Sequence, residues 1–298
     1  MKVKTALSEK IFIVFNTLIM LFLCATIVYP FWQQIIISIS PPKEASTIGL
    51  HLYTLNATFD SYIRLFQTGV ILRAYGWTIL RASLGTLITL LVTSMMSYAI
   101  SKKYLWARNF FTTIIVFTMF FGGGLIPTYL VVSNLGLINT IWALVLPGMC
   151  SAWNIIIMRN FFQSIPDALE ESAYIDGAND ILVFFWIIIP LSKPIIATIT
   201  LWSIVGHWNA WFDAMIYISG SKIIVLQNYL RQMLTIASQM AGNTVEDMFR
   251  LMEAEHQQYT PESVKAAVLM LVTLPIICVY PFLQKYFVKG LMIGSLKA

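Results

Sequence analysis

IFIVFNTLIMLFLCATIVY, residues 11–29, is a predominantly apolar run without a charged side chain. A helix that crosses the hydrocarbon core of a bilayer, about 30 Å thick, needs about 20 such residues, because lipid offers the backbone no hydrogen-bond partner. The run is too long for the apolar region of a signal peptide and no small-residue cleavage pattern follows it, so we expect a retained first span. Further segments share this character. The predicted spans cover approximately residues 11–31, 77–100, 109–132, 138–162, 186–218 and 264–284.

The composition of the whole chain agrees with a membrane protein. Of 298 residues, 58% are hydrophobic and 11% are charged, whereas soluble domains carry about 25% charged residues. The net charge of +5 does not indicate nucleic-acid binding, because the basic residues lie beside apolar runs and form no single basic face. Cys24, Cys150 and Cys278 fall inside predicted spans, where we expect buried thiols. We predict an all-α, polytopic membrane protein with six transmembrane helices.

Basic residues predict how these spans are oriented. The short connection KKYLWAR (102–108) carries three basic residues, whereas SNLGLINT (133–140) carries none. Cytoplasmic loops are enriched in Lys and Arg, so both termini are expected in the cytoplasm and the polar segments 32–76 and 219–263 outside. With no internal repeat evident, we predict one membrane domain, residues 1–298.

The most informative segment is QSIPDALEESAYIDGANDILVFFWIIIPLSKP, residues 163–194, between the fourth and fifth spans. It is predicted to be cytoplasmic, yet it is acidic, so something other than membrane orientation determines its composition. Pro166 is placed to begin a short helix and Gly177 to end it. Pro190 and Pro194 are expected to break or bend the return into the bilayer, because each removes a backbone donor.

This segment resembles the EAA loop of permease subunits in ABC-type importers. The resemblance rests on fixed spacings, with Ser172 in place of the usual alanine and Ile189 in place of the usual leucine. It implies a coupling helix seated in a groove of a cytoplasmic ATPase, with Glu171 paired to an ATPase arginine, Ala173 packing closely and Gly177 allowing the turn. A solvated amphipathic loop is the alternative interpretation. The residues that carry the match are Glu171, Ser172, Ala173, Asp176, Gly177, Ala178, Ile187 and Pro190.

The rest of the chain is similar to the carbohydrate-uptake, maltose-type branch of these importers. FFGGGLIPTYLVV (120–132) and the predicted cytoplasmic tail KYFVKGLMIGSLKA (285–298) resemble permeases for oligosaccharides from complex polysaccharides. In that branch the tail reaches the ATPase dimer, and Gly290 and Gly294 would suit an extended insertion. The three glycines 122–124 are expected to interrupt the third span, either as a gating hinge or for tight packing.

The resemblance also implies the partners and the membrane. They are a second, non-identical permease, two copies of an ABC ATPase, an extracytoplasmic solute-binding protein and an oligosaccharide, at the plasma membrane of a bacterium. The chain lacks GxxxxGK[ST], so it is expected to bind no cofactor and to be no enzyme, with ATP and Mg on the ATPase. An ABC permease for another solute and a self-sufficient secondary carrier are the alternatives.

Residues 202–217, WSIVGHWNAWFDAMIY, contain the candidate translocation path. Aromatic faces suit the apolar faces of sugar rings, and amide or carboxylate groups suit their hydroxyls. In one continuous helix Trp202, Asn209, Asp213 and Tyr217 would share a face. A carboxylate at membrane depth faces a cavity or a partner. Asp213 is therefore expected either to lie on the translocation path, in contact with substrate hydroxyls or a neighbouring arginine, or to be one member of a structural pair. The scattered histidines predict no metal site.

Overall fold

The computed structural model describes residues 7–220, 223–240 and 260–295, with side chains at 7–220, 223–235 and 260–279. Those residues form helices and connecting segments and contain no strand, which confirms the all-α prediction. The helices are α1 (Leu7–Ile39), α2 (Pro42–Ala45), α3 (Asp60–Gln67), α4 (Val70–Ser101), α5 (Arg108–Phe120), α6 (Leu125–Asn134), α7 (Trp142–Val145), α8 (Ala152–Phe162), α9 (Asp167–Ile175), α10 (Asp180–Val183), α11 (Ile189–Leu191), α12 (Lys193–Asn209), α13 (Phe212–Tyr217), α14 (Leu226–Met240) and α15 (Pro261–Ser295), with a π-helical turn at Phe184–Ile188 between α10 and α11.

Within the described ranges, three helices are long and apolar enough to cross a membrane, namely α1, α4 and the Pro261–Val279 part of α15. Two bent pairs meet the same criteria when each is taken as one span: α5 with α6, and Asp180–Leu191 with α12. The predicted fourth span, 138–162, is not one continuous helix, since residues 146–151 separate α7 from α8. Pro147 and Gly148 lie in this interruption: proline removes a backbone donor and glycine disfavours a helix interior.

Glycine and proline account for the bends within the other two predicted spans. The chain turns by 115° between α5 and α6, where Gly124 has φ +85°; the expected interruption at residues 122–124 is confirmed. It turns by 82° between Asp180–Leu191 and α12, beside Pro190 and Pro194, as predicted. Neither proline has the N–H that a continuous helix would use.

The fifth predicted span was wrong in one respect: it does not continue as a helix to residue 218. Helix α12 ends at Asn209, Ala210 is extended with ψ 122°, and α13 begins at Phe212. The predicted single helical face across residues 202–217 is therefore divided between two helices. Sequence periodicity did not reveal this break because no glycine or proline marks it.

The chain divides into two compact units, which we describe separately. Unit 1 comprises Met1–Val70 and Gln232–Thr273. In it the end of α1 is tied to the following segment by Trp32, whose Nε1 donates to the Leu52 carbonyl at 2.9 Å, and by Tyr62, whose hydroxyl donates to Ser38 Oγ at 2.8 Å. The prediction of a single membrane domain stays a prediction.

Unit 2 comprises Ile71–Arg231 and Leu274–Ala298. An apolar cluster lies where α4, α8 and the chain from α10 to α12 meet, and α9 packs beside it. The buried members are Tyr98, Met158, Phe162, Val183, Phe184, Ile188, Ile195 and Ile199.

Other predictions concern the cysteines and the chain end. Cys24, Cys150 and Cys278 are exposed in the structure, so the expectation of buried thiols was wrong; a thiol fits a lipid-facing surface as well as a core. The backbone of α15 is helical through Ser295, so Gly290 and Gly294 lie in a helix and not in the extended conformation that we expected. Residues 241–259 of the predicted external segment and 296–298 of the predicted tail lie outside the described residues.

Candidate functional site

Helix α9 is built by the residues that carry the EAA resemblance. Pro166 precedes its first turn with φ −58°. At its end the Ala178 N–H donates to the Ala173 carbonyl at 2.9 Å and the Gly177 N–H donates to the Tyr174 carbonyl at 3.0 Å, with Gly177 at φ +85°. These two bonds and the left-handed glycine form a Schellman motif. The prediction of a short helix that ends at Gly177 is confirmed.

The two faces of α9 differ in exposure. Ala173 and Ala178 pack against the apolar cluster of unit 2, while Glu171, Ser172 and Asp176 are exposed. Ser172 Oγ donates to the Leu169 carbonyl at 3.0 Å, a bond within the helix. The Glu171 carboxylate is therefore accessible to a partner, whereas the alanines hold the helix against its own unit.

Glu170, the neighbour of Glu171, faces the opposite way and is buried. It forms an ion pair with Lys102, which directly follows α4. The Lys102 ammonium lies 4.3 Å from the centroid of the Tyr98 ring, an arrangement that stabilises the cation further. A second pair joins Lys103 Nζ to Asp167 Oδ2 at 3.2 Å and is exposed. Two ion pairs of different burial thus hold α9 to the end of α4.

Asp180 completes the polar contacts around α9. Its Oδ1 accepts the Tyr174 hydroxyl at 2.6 Å and the Tyr104 hydroxyl at 3.2 Å. Desolvation by burial, followed by the hydrogen bond to Asp180, raises the pKa of the Tyr174 phenol above its usual value, so Tyr174 stays protonated and donates. Pro190 is exposed at the bend that follows.

An open cavity of about 460 Å³ lies in unit 2. Three of the four predicted translocation residues line it: Trp202, Asp213 and Tyr217. The fourth, Asn209, is not among the lining residues; its Oδ1 accepts from Gln227 Nε2 at 3.3 Å. The break after Asn209 separates it from Asp213 and Tyr217 but not from Trp202, which lies in the same helix. The remaining lining includes Arg81, Thr89, Gly148, Ser151, Asn154, Ser203, Gly206 and His207.

Arg81 joins the two sides of that break. It is 2% exposed and forms an ion pair with Asp213, and its Nη1 donates to the Ala210 carbonyl at 3.0 Å. The guanidinium therefore satisfies a backbone acceptor at the end of α12 and a carboxylate in the first turn of α13. Both the structural pair and the cavity-lining position that we considered for Asp213 are present in the structure.

Sequence reasoning missed Arg81, although a signal was available. An ionisable residue within an apolar span has a partner or faces a cavity, and Arg81 lies in the predicted second span. The contact between Lys102 and Glu170 was not predicted. Lys102 was used only to orient the spans, and Glu170 only as part of the acidic composition of residues 163–194. Nothing in the linear pattern distinguishes Lys102 from Lys103, and the EAA resemblance gave a role to Glu171 but none to Glu170.

Two further features of the cavity concern α4. A Cβ on Gly85 would lie too close to ring atoms of His207, so a larger residue there requires that ring to shift. Within the described part of unit 2, Thr89 Oγ1 and Arg81 Nε are buried and make no hydrogen bond. The cavity therefore combines an aromatic face, an ion pair and buried groups that can still hydrogen-bond. Among the residues that the structure describes, no cluster of three His, Cys, Asp or Glu side chains could hold a metal ion.

Comparison with known proteins gives one consistent family. Residues 92–293 match the family model described as "Binding-protein-dependent transport system inner membrane component". The chain is 41% identical over 288 residues to Protein LplC of Bacillus subtilis, covering 97% of this chain and 95% of LplC. It is 39% identical to the polygalacturonan/rhamnogalacturonan transport system permease protein YtcP of the same organism, covering 91% and 92% of the two chains.

A solved structure agrees with these relatives. The crystal structure of a bacterial ABC transporter involved in the import of the acidic polysaccharide alginate contains a chain with 32% identity and a TM-score of 0.87. The match covers 96% of this chain and 100% of that one.

Proposed function

The chain belongs to the family of binding-protein-dependent transport system inner membrane components, and from that premise we propose that it is the permease subunit of an ATP-driven importer of oligosaccharides. It is a multi-pass protein of the inner membrane and a transport subunit, with ATP hydrolysis on a separate subunit. The observation that carries the proposal is the exposure of Glu171 on a helix whose other face is fixed to its own unit. Such a helix can receive force from a partner without unfolding.

The substrate class follows from the relatives and from the cavity. One similar permease is named for polygalacturonan/rhamnogalacturonan transport and the similar solved structure for the import of alginate, so we propose oligosaccharides derived from complex polysaccharides. Trp202 presents an aromatic face to the cavity, and the Arg81–Asp213 pair presents both donors and acceptors. That combination suits pyranose rings with their hydroxyl groups. We place Tyr217 on the same path and Asn209 next to it.

The proposed topology has six spans with both termini in the cytoplasm. Contacts within unit 2 support it. The connections 102–108 and 163–180, both assigned to the cytoplasm, meet through Lys102 and Glu170. The connection 133–140 and the chain after α13, both assigned outside, meet through Asn139, whose Oδ1 accepts the Ser219 N–H at 2.7 Å. In this topology α9 is the cytoplasmic coupling helix between spans four and five.

The mechanism that we propose is alternating access. Two copies of an ABC ATPase, holding ATP and Mg, receive α9 of this chain and its counterpart on a second, non-identical permease. Glu171 accepts an ATPase arginine, the exposed residues Ser172 and Asp176 adjoin that contact, and Pro190 marks the bend through which the movement passes. A solute-binding protein delivers the oligosaccharide from outside. The C-terminal segment with Gly290 and Gly294 approaches the ATPase dimer.

Affinity purification tests the proposal directly. The tagged chain is isolated from its native membrane in mild detergent, and all bound proteins are identified by mass spectrometry. We expect an ATPase and a second, unlike permease subunit, which then allow sugars to be screened by stimulated ATP hydrolysis. Recovery of the chain alone or as a self-associated oligomer, in a detergent that preserves a known importer, would favour a self-sufficient carrier. Stimulation by a non-sugar solute would overturn the substrate class.

A further inference from the structure

We propose that Lys102 and Glu170 are a positioning pair that ties the coupling helix to α4, so that α4 carries the displacement of α9 to Arg81 at the cavity. This inference rests on the proposed function and names the residues that transmit the movement of the coupling helix. In this proposal neither Lys102 nor Glu170 touches substrate or nucleotide.

The first step is that this pair is a fixed connection, unlike its neighbour. The side chains of Lys102 and Glu170 are 13% and 10% exposed, whereas those of Lys103 and Asp167 are 84% and 74% exposed. Exposed ion pairs contribute about 0–1 kcal/mol and adjust easily. A buried pair resists separation, because each charge would be left without its partner in a poorly solvated site.

The surroundings of Lys102 strengthen this connection. The Tyr98 ring that faces the ammonium belongs to the same apolar cluster that receives Ala173 of α9. Lys102 is thus held from one side by α4 and from the other by α9. Its backbone N–H donates to the Ala99 carbonyl at 3.3 Å, which continues the last turn of α4.

The second step is that α4 can transmit movement along its length. It is one continuous helix of 32 residues without proline, and from Ser101 back to Arg81 it extends over about 30 Å at about 1.5 Å per residue. Its buried face is small and polar, which permits close packing in membrane bundles. That face includes Thr78, Arg81, Gly85, Thr89, Thr93, Ser97 and Ser101.

The third step concerns the contacts of Arg81, which lies on α4 about 30 Å from Ser101. Arg81 contacts the Ala210 carbonyl and the Asp213 carboxylate across the break between α12 and α13. A shift of α4 relative to this break changes the geometry of the residues that line the cavity. One helix therefore connects the buried ion pair at α9 with the buried ion pair at the cavity.

The test measures cavity access and does not require the substrate. Cys24, Cys150 and Cys278 are replaced by serine, and Ser203→Cys places a single thiol among the residues that line the cavity. The chain is reconstituted with its permease partner, ATPase and binding protein. The rate at which a charged thiol reagent labels this thiol is compared without nucleotide and with ATP plus vanadate. We expect the ratio of these rates to differ clearly from one.

Charge reversal then addresses the pair. Lys102→Glu is expected to lose the nucleotide effect, so that the ratio falls to about one, while the ATPase still copurifies. The double variant Lys102→Glu/Glu170→Lys is expected to restore the ratio. Lys103→Glu, which alters an exposed pair next to it, is the matched control and should leave the ratio unchanged.

Each other result has a defined meaning. An unchanged ratio in an assembled Lys102→Glu complex, or failure of the double reversal to restore it, overturns the inference. If Lys102→Glu does not assemble, Glu170→Gln replaces it as the test, because it removes the charge and keeps the side-chain shape. An unchanged ratio in Glu170→Gln also overturns the inference. Absence of any nucleotide effect in the parent complex overturns the proposed function, and the inference with it.

Discussion

Arg81 and Asp213, 132 positions apart in the sequence, form an ion pair that closes the break between α12 and α13. Arg81 also satisfies the Ala210 carbonyl, which lies at the end of α12 where no helical donor follows. A helix that ends inside a membrane protein leaves backbone acceptors that lipid cannot satisfy. One guanidinium therefore stabilises the break and places a carboxylate at the cavity.

Asp213→Asn is expected to lower stability and to alter uptake while the complex still assembles. Arg81 would keep a buried charge without a carboxylate, and Asp213 is 30% exposed, so we expect a loss at the lower end of the roughly 3–5 kcal/mol typical for breaking a buried pair. Thermal unfolding in detergent measures the loss. Arg81→Met combined with Asp213→Asn should recover part of it; failure to assemble in the single variant would mean that the pair is structural alone.

Gly85→Ala is expected to destabilise the chain by about 1–3 kcal/mol, the cost of forcing extra atoms into a packed interior. The added Cβ would clash with the His207 ring. Gly76→Ala, in the same helix but with nothing within 4 Å of the added Cβ, is the matched control and should be neutral or stabilising by roughly 0.5–1 kcal/mol. Equal apparent melting temperatures for the two variants would contradict the observed packing.

Gly177→Ala is expected to weaken the end of α9. At φ +85° an alanine costs about 1–2 kcal/mol relative to glycine. Relief of this backbone strain would distort the Schellman motif that orients Ala178. ATPase association, measured by copurification, should therefore fall. Gly177→Asn should retain more of it, because asparagine tolerates the left-handed region better. The idea fails if both variants bind the ATPase like the parent.

Glu171→Ala is expected to abolish uptake and to weaken ATPase association at least about tenfold, which corresponds to roughly 1.4 kcal/mol. The chain should still insert, because the Glu171 side chain is exposed. Asp167→Ala removes another exposed carboxylate from the same helix and serves as control. Normal uptake by Glu171→Ala in membrane vesicles would remove the coupling role from this residue.

The local pattern predicted the elements whose signals lie close together in the chain. The helix from Pro166 to the Gly177 turn and the breaks at residues 122–124 and near Pro190 were all predicted, because proline and glycine act through their own backbone dihedrals. The apolar runs likewise predicted α1 and α4. The continuous helix across residue 210 was wrong, since no local residue marks where the helix of residues 202–217 ends, and the six-span count stays a prediction.

The sequence by itself determined a helical membrane protein with a short acidic helix of the EAA type, because hydropathy and turn chemistry act over fewer than about 20 residues. Only the tertiary structure decided which of two adjacent glutamates is exposed, which of two adjacent lysines is buried, and that Arg81 reaches Asp213. Those choices depend on contacts between residues far apart in the chain, and a charge inside the packed unit is stable only where such a partner meets it.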